Sequence, residues 1–248
     1  MPEDLSPRHR QAVVDAAVTE LVIANRILAR EDVIDDFGHV SIRNPLDPAR
    51  YFIARSRSPE VVTRDDIMEF DLDGNQLGND PRRPYAERHI HGAIYRMRPD
   101  VNAVTHHHAR PVLPFTICAV PLRPAFHMAA VIGKRIDVWD SQDEFGDTNM
   151  LVDSLEMGLS LARTLGPNPV VLMRGHGAVC AAGNLKAVVM ISIALRDNAA
   201  LVQASMQLGK VSYLTDGEIE RASAMLLGPM PLARAWDYWV ARAGYAGL

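Results

Sequence analysis

Six of the nine histidines lie in three short segments: His89 and His91, then His106-His107-His108, then His176. No other feature constrains the fold as strongly, because stretches far apart in sequence must then converge. Neutral imidazoles gathered in one protein serve mainly to hold a metal ion or to move protons. Val101 to Thr105 reads as a buried strand running into the triplet. Alternate strand residues share a face, so His106 and His108 point together and His107 points away. His176 stands between Gly175 and Gly177, which lets a third imidazole approach without crowding. A catalytic metal site takes about three protein ligands and keeps a position open. His106, His108 and His176 are therefore the candidate ligands of one divalent ion.

Glu87 precedes His91 by one helical turn on a helix expected over 87–97, so the two share a face. They form the candidate catalytic pair, with Glu87 as a metal ligand or an acid–base group. A surface Glu above a stacked His is the competing reading. The loop Arg55-Ser56-Arg57-Ser58 offers guanidinium forks and hydroxyls that suit an anionic substrate. An ordinary solvated loop fits it equally well. Arg82 and Arg83 are a second such candidate. His39 follows a glycine at a loop-to-strand junction, where site and structural roles stand level. His9 and His127 are isolated, and Arg174 beside His176 has a structural alternative.

The chain of 248 residues is 48% hydrophobic, ordinary for a globular fold with a sizeable core. Its net charge of −4 gives no electrostatic case for nucleic acid. No apolar run approaches the ~20 residues that span a bilayer, and the N-terminus lacks a signal-peptide pattern. Cys118 and Cys180 read as reduced core residues of a cytoplasmic protein.

Ser6-Pro7 opens a long helix ending near Arg30, its apolar face set by Val14, Ala17, Leu21, Ala24 and Leu28. Strands are expected over 37–43, 51–54, 67–71, 101–105, 135–139 and 170–173. Ala178 to Ala181 continues or pairs with the last of these. Helices are expected over 112–119, 150–165, 185–208 and 216–227, with a last one over 232–243 rich in large aromatics. The helix over 150–165 takes its cap from Thr148 or Asn149, and Asn184 and Thr215 cap the next two. With no repeats and no linker, a single α/β domain over 1–248 is the simplest organisation.

Taken together, these segments resemble the class II aldolase/adducin family. The matching residues are Glu87…His91, then Arg98-Pro99-Asp100 with a strand into His106-His107-His108, then Arg174-Gly175-His176-Gly177. Gly38-His39-Val40-Ser41-Ile42-Arg43 is similar to the family's Gly-Asn-Val-Ser-x-Arg. The likeness covers about residues 10 to 210. It implies a three-layer α/β/α fold around a central, mainly antiparallel sheet. It implies one divalent metal ion per subunit on His106, His108 and His176, with Glu87 as acid–base group or fourth ligand. Mn or Zn comes first, with Co or Fe as alternatives. It also implies a homotetramer with sites at subunit interfaces.

The departures narrow the chemistry. The family's phosphosugar aldolases carry Ser-Ser before the Glu, where this chain has Tyr85-Ala86. Their phosphate-binding Asn is His39 here, and Arg55-Ser56-Arg57-Ser58-Pro59 stands in place of a Thr-Gly turn. His39, Arg55, Ser56, Arg57 and Tyr85 are thus the candidate substrate-binding residues. The pattern Pro84-Tyr85-x-Glu87-Arg88-x-x-His91 looks more like the family's aromatic decarboxylases. That branch implies a metal-dependent carbon–carbon lyase acting on a hydroxylated aromatic or pyridine (di)carboxylate. The alternatives are an aldolase or epimerase for a non-phosphorylated sugar or hydroxy-acid and, against the intact histidine set, a non-catalytic adducin-like binding module.

Overall fold

A computed structural model describes residues 6–245. Its eight strands form one sheet: β1 (His39–Arg43), β2 (Arg50–Ala54), β3 (Ile67–Asp71), β4 (Gln76–Leu77), β5 (Ala103–His107), β6 (Asp137–Trp139), β7 (Val170–Met173) and β8 (Gly177–Ala182). The spatial order is β4-β3-β2-β1-β5-β8-β7-β6. Every neighbouring pair is antiparallel except β6 with β7. The expected α/β/α fold with a mainly antiparallel sheet is what the chain adopts.

Helices α1 (Pro7–Arg30), α6 (Leu185–Leu208) and α8 (Pro229–Arg242) lie on one face. Leu21, Ile27 and Leu28 of α1 and Val188, Ile191 and Leu195 of α6 bury themselves against Val40, Ala103, Leu172 and Cys180. Helices α2 (Arg88–Met97) and α5 (Leu155–Leu165) cover the other face. There Ile90, Ile94, Leu161 and Leu165 meet Ile53, Val104, Val171 and Val179. Val40 and Ala103 point one way, and Ile53 and Val104 the other, as strand alternation demands. Each buried aliphatic side chain of this kind contributes about 1.5–3 kcal/mol, so both faces of the sheet are held firmly. Short helices α3 (Pro114–Ile117) and α4 (Gln142–Phe145) and helix α7 (Asp216–Leu226) complete the chain. No helix among the described residues is long and apolar enough to cross a membrane.

The caps sit where local chemistry puts them. Ser6, Asn184 and Thr215 each accept a backbone N–H of the first turn, and Glu218 closes a capping box with Thr215. The helix expected over 112–119 contracts to Pro114–Ile117, and β8 turns back to pair with β7 instead of prolonging it. Cys180 is buried as expected, whereas Cys118 is exposed at the end of α3.

The largest departure concerns the helix expected over 150–165. It begins at Leu155, capped by Ser154. Met150 has φ 66°, in the left-handed region that residues with a Cβ avoid. The cause is tertiary: this segment gives backbone groups to Glu87 and His176.

Candidate active site

The site forms at one end of the central strand β5. Register places His39, the first residue of β1, opposite His106, and places Ala178 of β8 opposite His107. His39, His106 and the turn carrying His176 therefore gather at the same end of the sheet. Gly177 permits the closest approach, since a Cβ there would sit 2.4 Å from the His107 carbonyl oxygen. Gly175 turns the chain with φ 62°.

Glu87, His106, His108 and His176 converge, with one donor atom from each lying within 4.8 Å of all the others. Glu87 Oε2 is 3.5 Å from His106 Nε2 and 3.7 Å from His176 Nε2. The Nε2 atoms of His106 and His108 are 3.0 Å apart. The opposite ring edges explain this. His106 Nδ1 lies 3.2 Å from the Ala178 carbonyl, and His176 Nδ1 lies 2.9 Å from the Met150 carbonyl. His108 Nδ1 lies 3.1 Å from both oxygens of Asp35. Carbonyls and carboxylates only accept, so each Nδ1 carries a proton, and in the neutral rings each Nε2 is then a bare lone pair. Lone pairs facing one another at 3.0 Å call for a cation between them. Three neutral imidazoles held by outer oxygens and one carboxylate are a donor set that fits a divalent metal ion.

The electrostatics agree. Burial pushes the Glu87 carboxyl up, but His106, His176 and the Val152 N–H outweigh it and hold it at about 2. Burial lowers His108 and His176, so both stay unprotonated at neutrality despite Asp35 and Glu87. The Val152 N–H donates to Glu87 Oε1 at 3.0 Å. Met150 and Val152 thus serve the site with a carbonyl and an N–H, and the carbonyl is one that a helix starting at residue 150 would commit to its own next turn.

A cavity of about 690 Å³ opens over this centre. Its walls include Phe37, Tyr85 and Leu151, and its rim Ser56, Arg57, Ser58 and Arg83. The Tyr85 ring lies tilted against the His39 ring, 4.6 Å between centroids, and its hydroxyl donates to the Arg57 carbonyl. Arg57 is held by Asp66 at 2.9 Å. Buried Asp66 also accepts from Arg55 at 2.7 Å and from Thr63. Burial raises its pKa, and these partners more than offset that, leaving it well below the usual carboxylate range. Arg83 is exposed on the rim, with no ion pair among the described residues.

The structure thus brings together Glu87, His106, His108 and His176, and puts His39, Ser56, Arg57 and Tyr85 on the cavity. Arg55 does not line it, because Asp66 engages its guanidinium behind the rim. His91 does not line it either. It is fully buried, with Nε2 2.7 Å from His39 Nδ1 and Nδ1 2.6 Å from Ser41 Oγ. One helical turn puts Glu87 and His91 on the same side of α2, but Glu87 sits at the N-cap and reaches past the sheet end. His91, one turn deeper, meets β1 instead, so it can act on the site only through His39. His107 points to the opposite face, beside Cys180. Arg174 pairs with Asp140. Asp35, Asp66, Met150 and Val152 were not foreseen. Only Asp35-Asp36 carried a signal, as an acidic pair just before β1.

The layered fold and the three-histidine, one-carboxylate centre at its sheet end define a class of proteins. The chain belongs to the Class II Aldolase and Adducin N-terminal domain family, matched over residues 19–202. It is similar to decarboxylase tropJ of Talaromyces stipitatus, 31% identical, with 90% of this chain and 92% of that one covered. It is 28% identical to 3,4-dihydroxyphthalate decarboxylase of Arthrobacter keyseri, covering 91% and 93%. Among solved structures, L-fuculose 1-phosphate aldolase of Glaciozyma antarctica shares the fold with a TM-score of 0.78, at 18% identity and 98% and 95% coverage.

Proposed function

We propose that this protein is a metal-dependent decarboxylase of a hydroxylated aromatic or pyridine dicarboxylate. The observation that carries the reading is the cavity itself. Cationic Arg57 and Arg83 and aromatic Phe37 and Tyr85 stand over the Glu87–His106–His108–His176 centre. Relatives named as decarboxylases, similar over about nine-tenths of the chain, support the same reaction.

His106, His108 and His176 would hold the ion, with Glu87 beside them. A divalent ion there supplies the Lewis acidity that favours ionised oxygens on the ring substituents. The chain's own residues do the rest. Arg57 and Arg83 bind a carboxylate that is not lost. Phe37, Tyr85 and Leu151 hold the ring and exclude water. Glu87 is ionised at rest, so its first act is as a base, taking the proton of the ring hydroxyl. It returns that proton to the ring carbon bearing the leaving carboxylate. The carbon–carbon bond then breaks, CO2 departs, and its electron pair restores the aromatic ring. Solvent reprotonates the phenolate.

The test is a CO2-release screen of enzyme loaded with Mn or Zn against hydroxyphthalates and hydroxypyridine dicarboxylates. Cleavage of a non-phosphorylated sugar acid without CO2 release would move the protein to the aldolase or epimerase reading. We further propose a homotetramer, supported by Met230 and Tyr238 exposed on α8. Light scattering decides it, and a fully active 27.4 kDa monomer would contradict it.

A further inference from the structure

His39, His91, Ser41 and Tyr95 form an unbroken chain of side chains running from the cavity into the core. Tyr95 Oη lies 2.7 Å from Ser41 Oγ, Ser41 Oγ 2.6 Å from His91 Nδ1, and His91 Nε2 2.7 Å from His39 Nδ1. All four side chains are buried, and no carboxylate hydrogen-bonds either imidazole. Buried imidazoles whose hydrogen-bond partners are all neutral are themselves neutral. Each then carries one N–H, and the hydroxyls add one proton each. Four protons must serve three links, and three arrangements place one proton in each link. The one in which Ser41 accepts from both His91 and Tyr95 leaves its own buried hydroxyl proton with no acceptor among the described residues, so an inward and an outward order remain.

In the inward arrangement, His39 donates to His91, His91 to Ser41, and Ser41 to Tyr95. The fourth proton is then on the Tyr95 hydroxyl. Tyr95 is 1% exposed, and Ser41 Oγ is its only acceptor among the described residues. Its oxygen also faces the backbone N–H of Val104, and the Arg43 guanidinium lies over its ring. Both neighbours are donors. The inward arrangement therefore strands a buried hydroxyl proton, which is costly. In the outward arrangement, Tyr95 donates to Ser41, Ser41 to His91, and His91 to His39 Nδ1. The fourth proton is then on His39 Nε2. That nitrogen has no protein partner among the described residues, and His39 lines the cavity.

We propose that Tyr95, Ser41 and His91 are positioning residues that lock His39 as its Nε2–H tautomer, so that it gives a hydrogen bond to an anionic oxygen of the substrate. Because the outward order is set by the blind end at Tyr95, His39 is a donor and not a base. The chain cannot act as a proton source either, since emptying it would leave a buried tyrosinate. The nature of the bound oxygen rests on the decarboxylase reading; the tautomer does not.

Neutron diffraction from deuterated crystals of the metal-loaded protein reads the tautomer directly, with phthalate as the ligand probe. The expected result is a deuteron on His39 Nε2 and none on Nδ1. Tyr95→Phe moves the blind hydroxyl to Ser41, so the order stays outward and the deuteron stays on His39 Nε2. Ser41→Ala leaves His91 Nδ1 without a partner in either order, so both His39 nitrogens become partly deuterated. The binding-competent fraction then falls to about half, and phthalate binding weakens about twofold. His39→Leu removes the donor and should cost about tenfold or more in phthalate affinity. A bare His39 Nε2 in the unsubstituted protein overturns the proposal. So does a tautomer unmoved by Ser41→Ala, or phthalate binding unmoved by His39→Leu. A deuteron on Nε2 in an enzyme that releases CO2 from no carboxylate would remove the reaction and leave the tautomer assignment standing.

Discussion

Two groups of histidines share one sheet face and do opposite things. In the first, His106, His108 and His176 each pin Nδ1–H on an oxygen that only accepts, leaving three bare Nε2 atoms beside a carboxylate. In the second, His39 and His91 are paired with each other and with Ser41, and no anion is hydrogen-bonded to either. The first group lacks protons where its rings converge and fits a cation. The second retains protons along its length and fits hydrogen-bond donation. Residue type is the same in both, so the partner of the far ring nitrogen decides the chemistry.

Removing the carboxylate that distinguishes the first group should have the largest effect. Glu87→Gln keeps the shape and most of the packing but cannot exchange a proton. We expect kcat to fall about 10²–10⁴-fold with metal retained and substrate affinity little changed. Metal lost in parallel with activity would make Glu87 chiefly a ligand, and unchanged turnover would remove it from the mechanism. Metal content, substrate binding and CO2 release are to be measured on one preparation.

Next come the imidazoles and their outer oxygens. His108→Ala deletes a proposed ligand and should weaken metal binding by at least ~100-fold while circular dichroism is preserved. Asp35→Asn keeps the ligand but loosens its orientation, for an expected loss of about 10–100-fold. Competition with a chromophoric chelator ranks the two variants. Equal affinities for Asp35→Asn and wild type would show that the carboxylate does not direct His108.

A last test separates histidines held neutral by burial from ordinary ones. Burial pushes His91 and His107 down to about 3. The unfolded chain protonates them near pH 6.5, and the folded protein resists until about 3. Their stabilising contribution is therefore complete above pH 6.5 and is lost as pH falls towards 3. Glu87, held at about 2, acts with the same sign below about 4.5. Each group accounts for about 1.4 kcal/mol per pH unit within its window. Urea midpoints of metal-free protein should be flat above pH 7 and decline below 6.5. A midpoint that rises on acidification would contradict neutral burial.

Much of this was legible in the residues. The period of two put His106 and His108 on one face and sent His107 to the other, because a strand permits nothing else. The glycines around His176 forecast its close approach, and Ser6, Asn184 and Thr215 marked helix starts because a cap is a local hydrogen bond. The family pattern carried the layers of the fold. What stayed hidden depended on register between distant strands. His39 meets His91 across 52 positions because β1 lies against β5 with His39 opposite His106. The same pairing carries Asp35, just before β1, to His108, just after β5. Apolar periodicity reports which face a residue takes, but not which residue stands across from it. Residues 150 to 154 have helical composition, yet the His176 ring and the Glu87 carboxylate claim their backbone groups. Arg55 has the charge for an anion site, but a buried aspartate eleven residues on takes it first. The sequence by itself determined which side chains could hold a cation, since that is a matter of residue type and local period. Tertiary structure decided which of them converge as cation donors and which link to one another through protons, since that rests on partners that only the folded sheet brings within hydrogen-bond distance.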